Sequence, residues 1–232
     1  MTKGSILYGS SLIEYEIEYV QRKTLGITVH PDSTVTLKAP LDAAPEDIQK
    51  KVRLRAAWIL RQKRYFESFG TPTTERQYIS GESHLYLGRQ YMLRIKEGKT
   101  NAVHYQNNIL EIECHNRKEA GRVLQLWYLE RAQIKFPEYA KPIIEQFAAY
   151  GVQPKSLSVR KMEKRWGYCT TDGNIFLNPR LICAPRCCIE YVITHELCHL
   201  VHRNHTKDFY TLLSKEIPHW EKWKTKLERM MV

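Results

Sequence analysis

The sequence predicts an α+β protein in which a strand-rich N-terminal module precedes a helix-rich C-terminal module. Three patterns predict this class: apolar and polar residues alternate over residues 12–20, apolar residues recur at helical spacing over 45–66, and residues 118–150 have a helical pattern. With 232 residues and 43% hydrophobic content, the chain can form one large domain or two small ones. We place a soft boundary at residue 110, which gives modules of residues 1–110 and 111–232.

The N-terminal module is predicted to open with strands. From Leu12 to Val20, apolar side chains occupy the odd positions and glutamates lie between them, which is the period of a half-buried strand. Residues 26–30 and 34–38 flank a Pro-Asp-Ser turn and predict a hairpin, which Pro40 ends.

An amphipathic helix with a basic surface is predicted to follow from Pro45. Its apolar positions are Ile48, Val52, Ala56, Ile59 and Phe66. Its cations, with no acidic residue among them, are Lys50, Lys51, Arg53, Arg55, Arg61, Lys63 and Arg64. These cations could contact nucleic acid phosphates or could form a solvated helix face, and the sequence leaves both interpretations open.

The middle of the chain predicts a loop, three strands and a helical region. The predicted loop is Gly70–Thr74, the strands are His84–Leu87, Gln90–Ile95 and Ile109–Cys114, and turns are expected at Gly88 and Asn107–Asn108. Pro137 and Pro142 interrupt the helical pattern of residues 118–150. One helix or two can account for it.

Composition predicts a cytoplasmic protein that does not insert into a membrane. No apolar run is long enough to span a bilayer, and the six cysteines form no CxxC pair, so we expect free thiols. The net charge of +11 favours polyanionic partners, such as nucleic acid or nucleotides, or simply keeps the protein soluble. Oligomeric state is not predicted.

The most informative segment is the helix predicted between Pro185 and Val201. Residues four apart project from one helix face, so His195 and His199 can direct imidazole nitrogens at one metal ion. Glu196 lies on an adjacent face, where its carboxylate can take a proton from a zinc-bound water whose pKa zinc lowers to about 7.

A catalytic zinc needs three protein ligands and one exchangeable water, and two downstream histidines compete for the third place. His202 lies about 10 Å along the helix axis from His195, an awkward span for one tetrahedral ion. Asn204 can take the left-handed conformation that ends a helix and brings His205 back toward the metal. We therefore predict one Zn²⁺ per chain, bound by His195, His199 and His205. Either Asp208 or Glu190 could accept a ring hydrogen bond from a ligand.

Four segments resemble the YgjP-like family of zinc metallopeptidase-fold proteins. They are Arg165–Cys169, Asn174–Asn178, His195–Leu200 and Asn204–Tyr210. The likeness covers most of the chain, because the strands from Tyr15 to Pro40 and the helix with Trp58 also look like that family. The resemblance implies a small gluzincin-like catalytic domain with a compact sheet, the HExxH helix and a third histidine ligand at His205.

The resemblance also implies a place for the substrate. In such domains an edge strand beside the active helix aligns an extended peptide, and the strand expected here comprises Asn174, Ile175, Phe176 and Leu177. Arg165 and Tyr210 could stabilise an oxyanion, or could simply pack. Tyr168 stands where the family motif RWGSC has serine, so no role of that serine is transferred. The tryptophans Trp127, Trp166, Trp220 and Trp223 are expected to pack.

Three functions are compatible with these residues. The leading hypothesis is a zinc-dependent peptidase that acts on a protein or peptide. A second is a zinc-dependent nucleotide pyrophosphohydrolase that converts UTP to UMP and pyrophosphate, although no GxxxxGK[ST] loop is present. The third is a basic nucleic-acid-binding module with a structural metal, a role for which four protein ligands are usual. Related SprT-like proteins share the metal pattern and act on DNA-bound proteins.

Overall fold

The computed structural model describes residues 2–9, 11–30, 33–67, 76–163 and 165–231. These residues form five α-helices and three small sheets, which confirms the predicted α+β class. The chain divides into two compact units, Met1–Glu75 and Arg76–Met231. The boundary expected at residue 110 falls inside a strand of the second unit. That strand pairs on both sides with strands earlier in the chain, so a boundary there would divide one sheet.

The first unit contains a four-stranded sheet. Its strands are β1 (Thr2–Tyr8), β2 (Ser11–Tyr19), β3 (Gly26–Val29) and β4 (Val35–Ala39), in the order β1-β2-β4-β3. The predicted strand over 12–20 and the predicted hairpin are confirmed, while the turn residues 31–32 lie outside the described residues. Strand β1 precedes the strand predicted to open the fold. The sequence of β1 shows no alternation of buried and exposed residues that would predict a strand, because Ile6 alone of its residues is buried.

Helix α1 (Pro45–Glu67) packs on this sheet and begins where Pro45 predicts. The spacing of its apolar residues follows the helical period, and Ile48, Val52 and Ala56 are fully buried with Leu37 of β4. The side chain of Phe66 and the predicted loop at residues 70–74 lie outside the described residues.

The second unit begins with another four-stranded sheet. Its strands are β5 (Ser83–Tyr86), β6 (Arg89–Glu97), β7 (Ala102–Gln106) and β8 (Ile109–Cys114), in the order β5-β6-β8-β7. Three of them match predicted strands, and Gly88, Asn107 and Asn108 have the positive φ angles of turn residues. Strand β7 was not predicted because it is an edge strand without buried residues.

Helix α2 (Ala120–Phe147) covers most of residues 118–150, the region for which the sequence leaves one helix or two open. It is a single helix that contains both Pro137 and Pro142. A proline removes one backbone hydrogen bond, and buried residues on both sides of the two prolines, Phe136 and Phe147 among them, hold the helix in place.

The remaining elements surround one buried helix. Strands β9 (Ser156–Val159), β10 (Gly167–Cys169) and β11 (Asn174–Leu177) form a sheet in the order β10-β11-β9. A short 3-10 helix at Pro179–Cys183 leads to α3 (Arg186–Val201), and α4 (Lys207–Glu216) and α5 (Trp220–Met231) follow. Helix α3 contacts α2, α4, α5 and β10, so it lies at the centre of the unit.

Two features bear on the predicted surroundings of the protein. In the described part of the chain, no helix is both long and apolar enough to cross a membrane. All six cysteines are free thiols, as expected.

Candidate metal centre

Helix α3 carries the first two predicted ligands on a backbone that is buried almost all round. Ile189, Ile193 and Leu197 are fully buried in the core of the second unit. A helix that is apolar on most sides must be enclosed by other elements, which holds its few polar residues in defined positions. His195, Glu196 and His199 are therefore presented by a rigid element.

The three predicted ligands converge in the structure. The ring centres of His195, His199 and His205 lie 4.6–5.0 Å apart, and Nε2 of His195 is 3.0 Å from Nε2 of His205. One nitrogen from each ring falls within a group whose atoms are all within 4.8 Å of one another. Residues that are ten positions apart in the sequence thus meet at one point.

The chain returns to this point by a route that differs from the expected one. Helix α3 ends where His202 adopts an extended conformation, with φ −126° and ψ 106°, and its N–H still bonds to the carbonyl of Cys198. The prediction of a left-handed Asn204 was wrong, since Asn204 is not among the residues with positive φ. The turn is closed instead by a 2.7 Å hydrogen bond from the N–H of Thr206 to the carbonyl of Asn204.

A hydrogen bond fixes which nitrogen of His199 is free. Nδ1 of His199 lies 3.3 Å from the carbonyl oxygen of His202. Because a carbonyl can only accept, Nδ1 carries the proton and Nε2 keeps its lone pair. For His199 the acceptor is therefore neither Asp208 nor Glu190, the two candidates that the sequence offers, and Glu190 pairs with Arg186 at 2.7 Å.

The environment of all three imidazoles favours the neutral form, which is the form that binds a metal. Burial, followed by the neighbouring His199 and His205, lowers the pKa of His195 to about 3. Burial also lowers the pKa of His199 and that of His205.

The geometry of the triad fits a metal ion. Zinc binds imidazole nitrogen at about 2.0–2.1 Å, so two nitrogens on one tetrahedral ion lie about 3.4 Å apart. The 3.0 Å between Nε2 of His195 and of His205 is close to that separation. Three neutral nitrogens suit zinc among other transition metals, and among the described residues no fourth ligand joins the group.

Glu196 lies next to the triad as a buried carboxyl group. It is 5% exposed, and burial raises its pKa to about 8, against the opposing effects of the Cys169 N–H and the Arg165 guanidinium. A cation held by the imidazoles would lower this pKa, because an opposite charge favours the ionised form. The carboxyl group can therefore take up or release a proton near neutral pH.

Gly167 leaves the space that Glu196 occupies. A Cβ atom at position 167 would lie 2.6 Å from Oε1 and 2.8 Å from Cγ of Glu196, and 2.9 Å from Cγ1 of Val192. These distances are well inside van der Waals contact, so any larger residue would displace the carboxyl group. The sequence alone gives no sign of this role, although Gly167 lies inside the segment Arg165–Cys169 that resembles the family.

Aromatic rings of helix α4 pack against the imidazoles of His195, His199 and His205. Phe209 of α4 is fully buried, and its ring centre lies 4.6–5.0 Å from those of all three imidazoles. Tyr210 lies 6.0 Å from His205 and stacks on Trp220 at 5.4 Å. Trp220 also stacks on Tyr191, so the tryptophan packs as expected. Only the spacing of α4 from His205 could have suggested Phe209.

The structure corrects the predicted peptide-aligning strand. Strand β11 is the central strand of its sheet, since it pairs with β10 on one side and with β9 on the other. It has no free edge for a peptide. Ile175 and Leu177 are fully buried, and the amide oxygen of Asn174 accepts a 2.8 Å hydrogen bond from the Ser156 hydroxyl. Of the four residues of this strand, Phe176 lines a pocket at the surface.

The edge strand of this sheet that contacts α3 is β10, which pairs with β11 on one side and with no other strand of the described residues. In an antiparallel pair, residues alternate between those that bond to the partner strand and those that point away. Residues 166 and 170 bond to β11, so the backbone groups of Gly167 and Cys169 point away from it. The bond between the N–H of Cys169 and Glu196 agrees with this alternation.

A cationic pocket adjoins β10. It has a volume of about 410 Å³ and is lined in part by Arg160, Lys161, Arg165, Tyr168 and Phe176. The guanidinium of Arg165 lies 5.5 Å from the Tyr168 ring, and that of Arg160 lies 5.7 Å from the Phe176 ring. Arg165 thus lines this pocket and is also close enough to Glu196 for its charge to oppose the rise of that carboxyl's pKa.

Buried Asn178 holds one wall of this pocket. Its amide nitrogen donates hydrogen bonds of 2.6 Å and 2.8 Å to the carbonyl oxygens of Met162 and Arg165. Its amide oxygen accepts a bond from the N–H of Arg180 at the start of the 3-10 helix. A 2% exposed side chain therefore fixes the backbone that carries Arg165.

Three imidazoles around one point, with a buried carboxyl group beside them, can support the chemistry of a metal-dependent hydrolase. The comparison with protein families narrows this class: the YgjP-like metallopeptidase domain matches residues 23–230. The chain belongs to this family, as the resemblance implied. A comparison with curated proteins gave no significant match. Membership of a metallopeptidase family implies a bound metal, and the histidine triad could bind one.

Proposed function

We propose that the protein is a zinc-dependent peptidase with His195, His199 and His205 as metal ligands and Glu196 as the group that moves protons. The convergence of three neutral imidazoles beside a buried carboxyl group is the observation that carries this proposal. Bound there, zinc would act as a Lewis acid and make water a better nucleophile at neutral pH. With three protein ligands, a position stays open for exchange, as catalytic zinc requires.

Glu196 is assigned both proton transfers. As a carboxylate, it accepts a proton from the water that attacks the peptide carbonyl carbon. It then donates that proton to the leaving amine nitrogen as the C–N bond breaks. Its position against Gly167 and its bond from the Cys169 N–H hold the carboxyl group in one orientation through both transfers.

The outer edge of β10 is the surface that we assign to the substrate backbone, in place of β11. The outward backbone groups of Gly167 and the carbonyl of Cys169 can pair with an extended peptide, while the Cys169 N–H stays bonded to Glu196. Arg165 is close enough to Glu196 to affect its charge, so it can stabilise negative charge that develops on the peptide oxygen. Tyr210, next to His205, is the second candidate for that role.

One observation favours a second candidate function, the conversion of UTP to UMP and pyrophosphate. Arg160, Lys161 and Arg165 line one pocket with the acid Glu163, and three cations against one acid suit a triphosphate; Arg165 is also close enough to Glu196 to act on its charge. Zinc-activated water can attack a phosphoanhydride as well as an amide.

One experiment separates the two functions. Zinc-loaded protein is incubated with unfolded, fluorescently labelled casein and, separately, with UTP, and the release of peptides and of pyrophosphate is measured. The Glu196→Gln variant, loaded with the same amount of zinc, is the control. Peptide release that the variant lacks supports the peptidase, pyrophosphate release that it lacks supports the second candidate, and activity on neither substrate contradicts both.

A further inference from the structure

Strand β3 in the first unit has a free edge. It pairs with β4 alone, and no other strand of the described residues lies on its outer side. The N–H of His30 bonds to the carbonyl of Thr34, so by the alternation of an antiparallel ladder the backbone groups of Ile27 and Val29 point outward. Unpaired groups of this kind accept a further strand.

A groove runs beside this edge and is bounded by helix α1. It has a volume of about 510 Å³. The residues that line it are Thr24, Leu25, Ile27, Lys51, Leu54, Arg55 and Trp58. Leu54 is 78% exposed and Trp58 is 38% exposed, so large apolar side chains of the helix remain uncovered here. Uncovered apolar groups next to a free strand edge are features of a peptide-binding groove.

The charges around the groove select the partner. Lys51 and Arg55 project from α1 into its lining, and α1 carries no acidic residue from position 48 to position 64. The Arg22 side chain lies over Gly26 at the start of β3, where its Nη1 is 2.6 Å from the position of a Cβ atom. Because Gly26 and Ile27 face opposite sides of the sheet, Arg22 lies on the side away from the groove, and Lys51 and Arg55 are the lining cations that favour an acidic ligand.

We propose that this groove binds an extended acidic peptide segment of a partner protein, with apolar residues at alternate positions, as an added strand beside β3. Every second side chain of such a segment points toward α1, where the lining is apolar and Lys51 and Arg55 add positive charge. The acidic side chains between them point to the opposite side of the sheet, where Arg22 lies. Strand β3 is about 13 Å long, so it accommodates about four residues of the segment. This proposal does not depend on the proposed peptidase activity.

The lining favours a peptide over single-stranded nucleic acid. Nucleic acid binding relies on several aromatic platforms for stacked bases, and among the residues that the structure describes Trp58 is the one aromatic side chain lining this groove. The free backbone groups of Ile27 and Val29 have no equivalent use for a nucleic acid. A peptide uses the cations, the apolar lining and the strand edge together.

Binding is tested with the full-length Glu196→Gln protein, so that no probe is hydrolysed. The probe is a short, fluorescently labelled peptide in which glutamate and valine alternate, and its anisotropy gives the Kd. Comparison probes are the same peptide with lysine for glutamate, the acidic peptide N-methylated at every second residue, and single-stranded oligothymidylate. The groove variant is Lys51→Glu with Arg55→Glu, and its matched control is Lys50→Glu with Arg53→Glu on the same helix.

We expect the acidic peptide to bind, and the groove variant to weaken it at least about tenfold while the control variant changes the Kd less than about twofold. N-methylation should also weaken binding at least about tenfold, because it removes the strand-pairing donors. Equal effects of both double variants would mean diffuse attraction and would overturn the proposal. So would an unaffected N-methylated probe, tighter binding of oligothymidylate, or no saturable binding of the acidic peptide. Circular dichroism establishes that each variant is folded.

Discussion

The contact between Gly167 and Glu196 makes a test of how the proposed proton carrier is positioned. In Gly167→Ala, the added methyl group would meet Oε1 of Glu196 at 2.6 Å, its Cγ at 2.8 Å and Cγ1 of Val192 at 2.9 Å. Ordinary carbon contacts are about 3.5–4.0 Å, so the carboxyl group must move by about 1 Å. The substitution should leave the three imidazoles in place, because the three atoms nearest to the added methyl group belong to Glu196 and Val192.

Two magnitudes follow from that displacement. A misplacement of about 1 Å near the reacting groups costs about 100-fold in rate, so kcat on labelled casein should fall by about that factor. Overpacking of a buried site costs about 1–3 kcal/mol, so the free energy of unfolding should fall by that amount. Zinc content, measured by mass spectrometry of the purified protein, should be unchanged.

A double-mutant cycle makes the test specific to this contact. In the Glu196→Ala background the carboxyl group is absent, and Gly167→Ala should then cost about 1–3 kcal/mol less than in the parent protein, as measured by urea unfolding. Additive effects of the two substitutions would refute the reasoning, as would a Gly167→Ala enzyme with full activity.

Three further results are expected. His205→Ala should weaken zinc binding in equilibrium dialysis by more than the roughly 10–100-fold that loss of a residue hydrogen-bonded to a ligand costs. His202→Ala should not weaken it in this way, since only the backbone of His202 contacts a ligand. Equal losses in the two variants would contradict the ligand assignment. Burial lowers the pKa of His84, so the unfolded chain binds this proton first and the unfolding free energy should fall as pH drops below about 6.5. His84→Gln should make urea unfolding less pH-dependent, and an unchanged slope would speak against this. Asn178→Ala leaves the carbonyl groups of Met162 and Arg165 without their buried donor, so the free energy of unfolding in urea should fall by about 1–3 kcal/mol. An effect near zero would show that other contacts hold the backbone at these two residues.

The parts of the fold that could be predicted from sequence are those whose signal is local. Alternation places β2, and helical spacing places α1, because burial of one face leaves its period in the chain. The exposed edge strands β1 and β7 lack that period and were missed. The domain boundary also depends on which strands pair, which no local pattern records.

The candidate site divides in the same way. The spacing of His195 and His199 on one helix fixes their relation, and the third histidine follows from the needs of a tetrahedral metal. The position of β11 within its sheet depends on two partner strands distant in sequence, so the predicted edge was wrong. The roles of Gly167 and Phe209 arise from contacts between elements, which spacing along one element does not predict.

Anomalous diffraction at the zinc absorption edge, from crystals grown with zinc, tests the metal centre most directly. We expect one peak within about 2.0–2.1 Å of a ring nitrogen of each of His195, His199 and His205, with no fourth protein ligand. Zinc bound elsewhere with these three rings turned apart, or a fourth side chain closing the site, would contradict it.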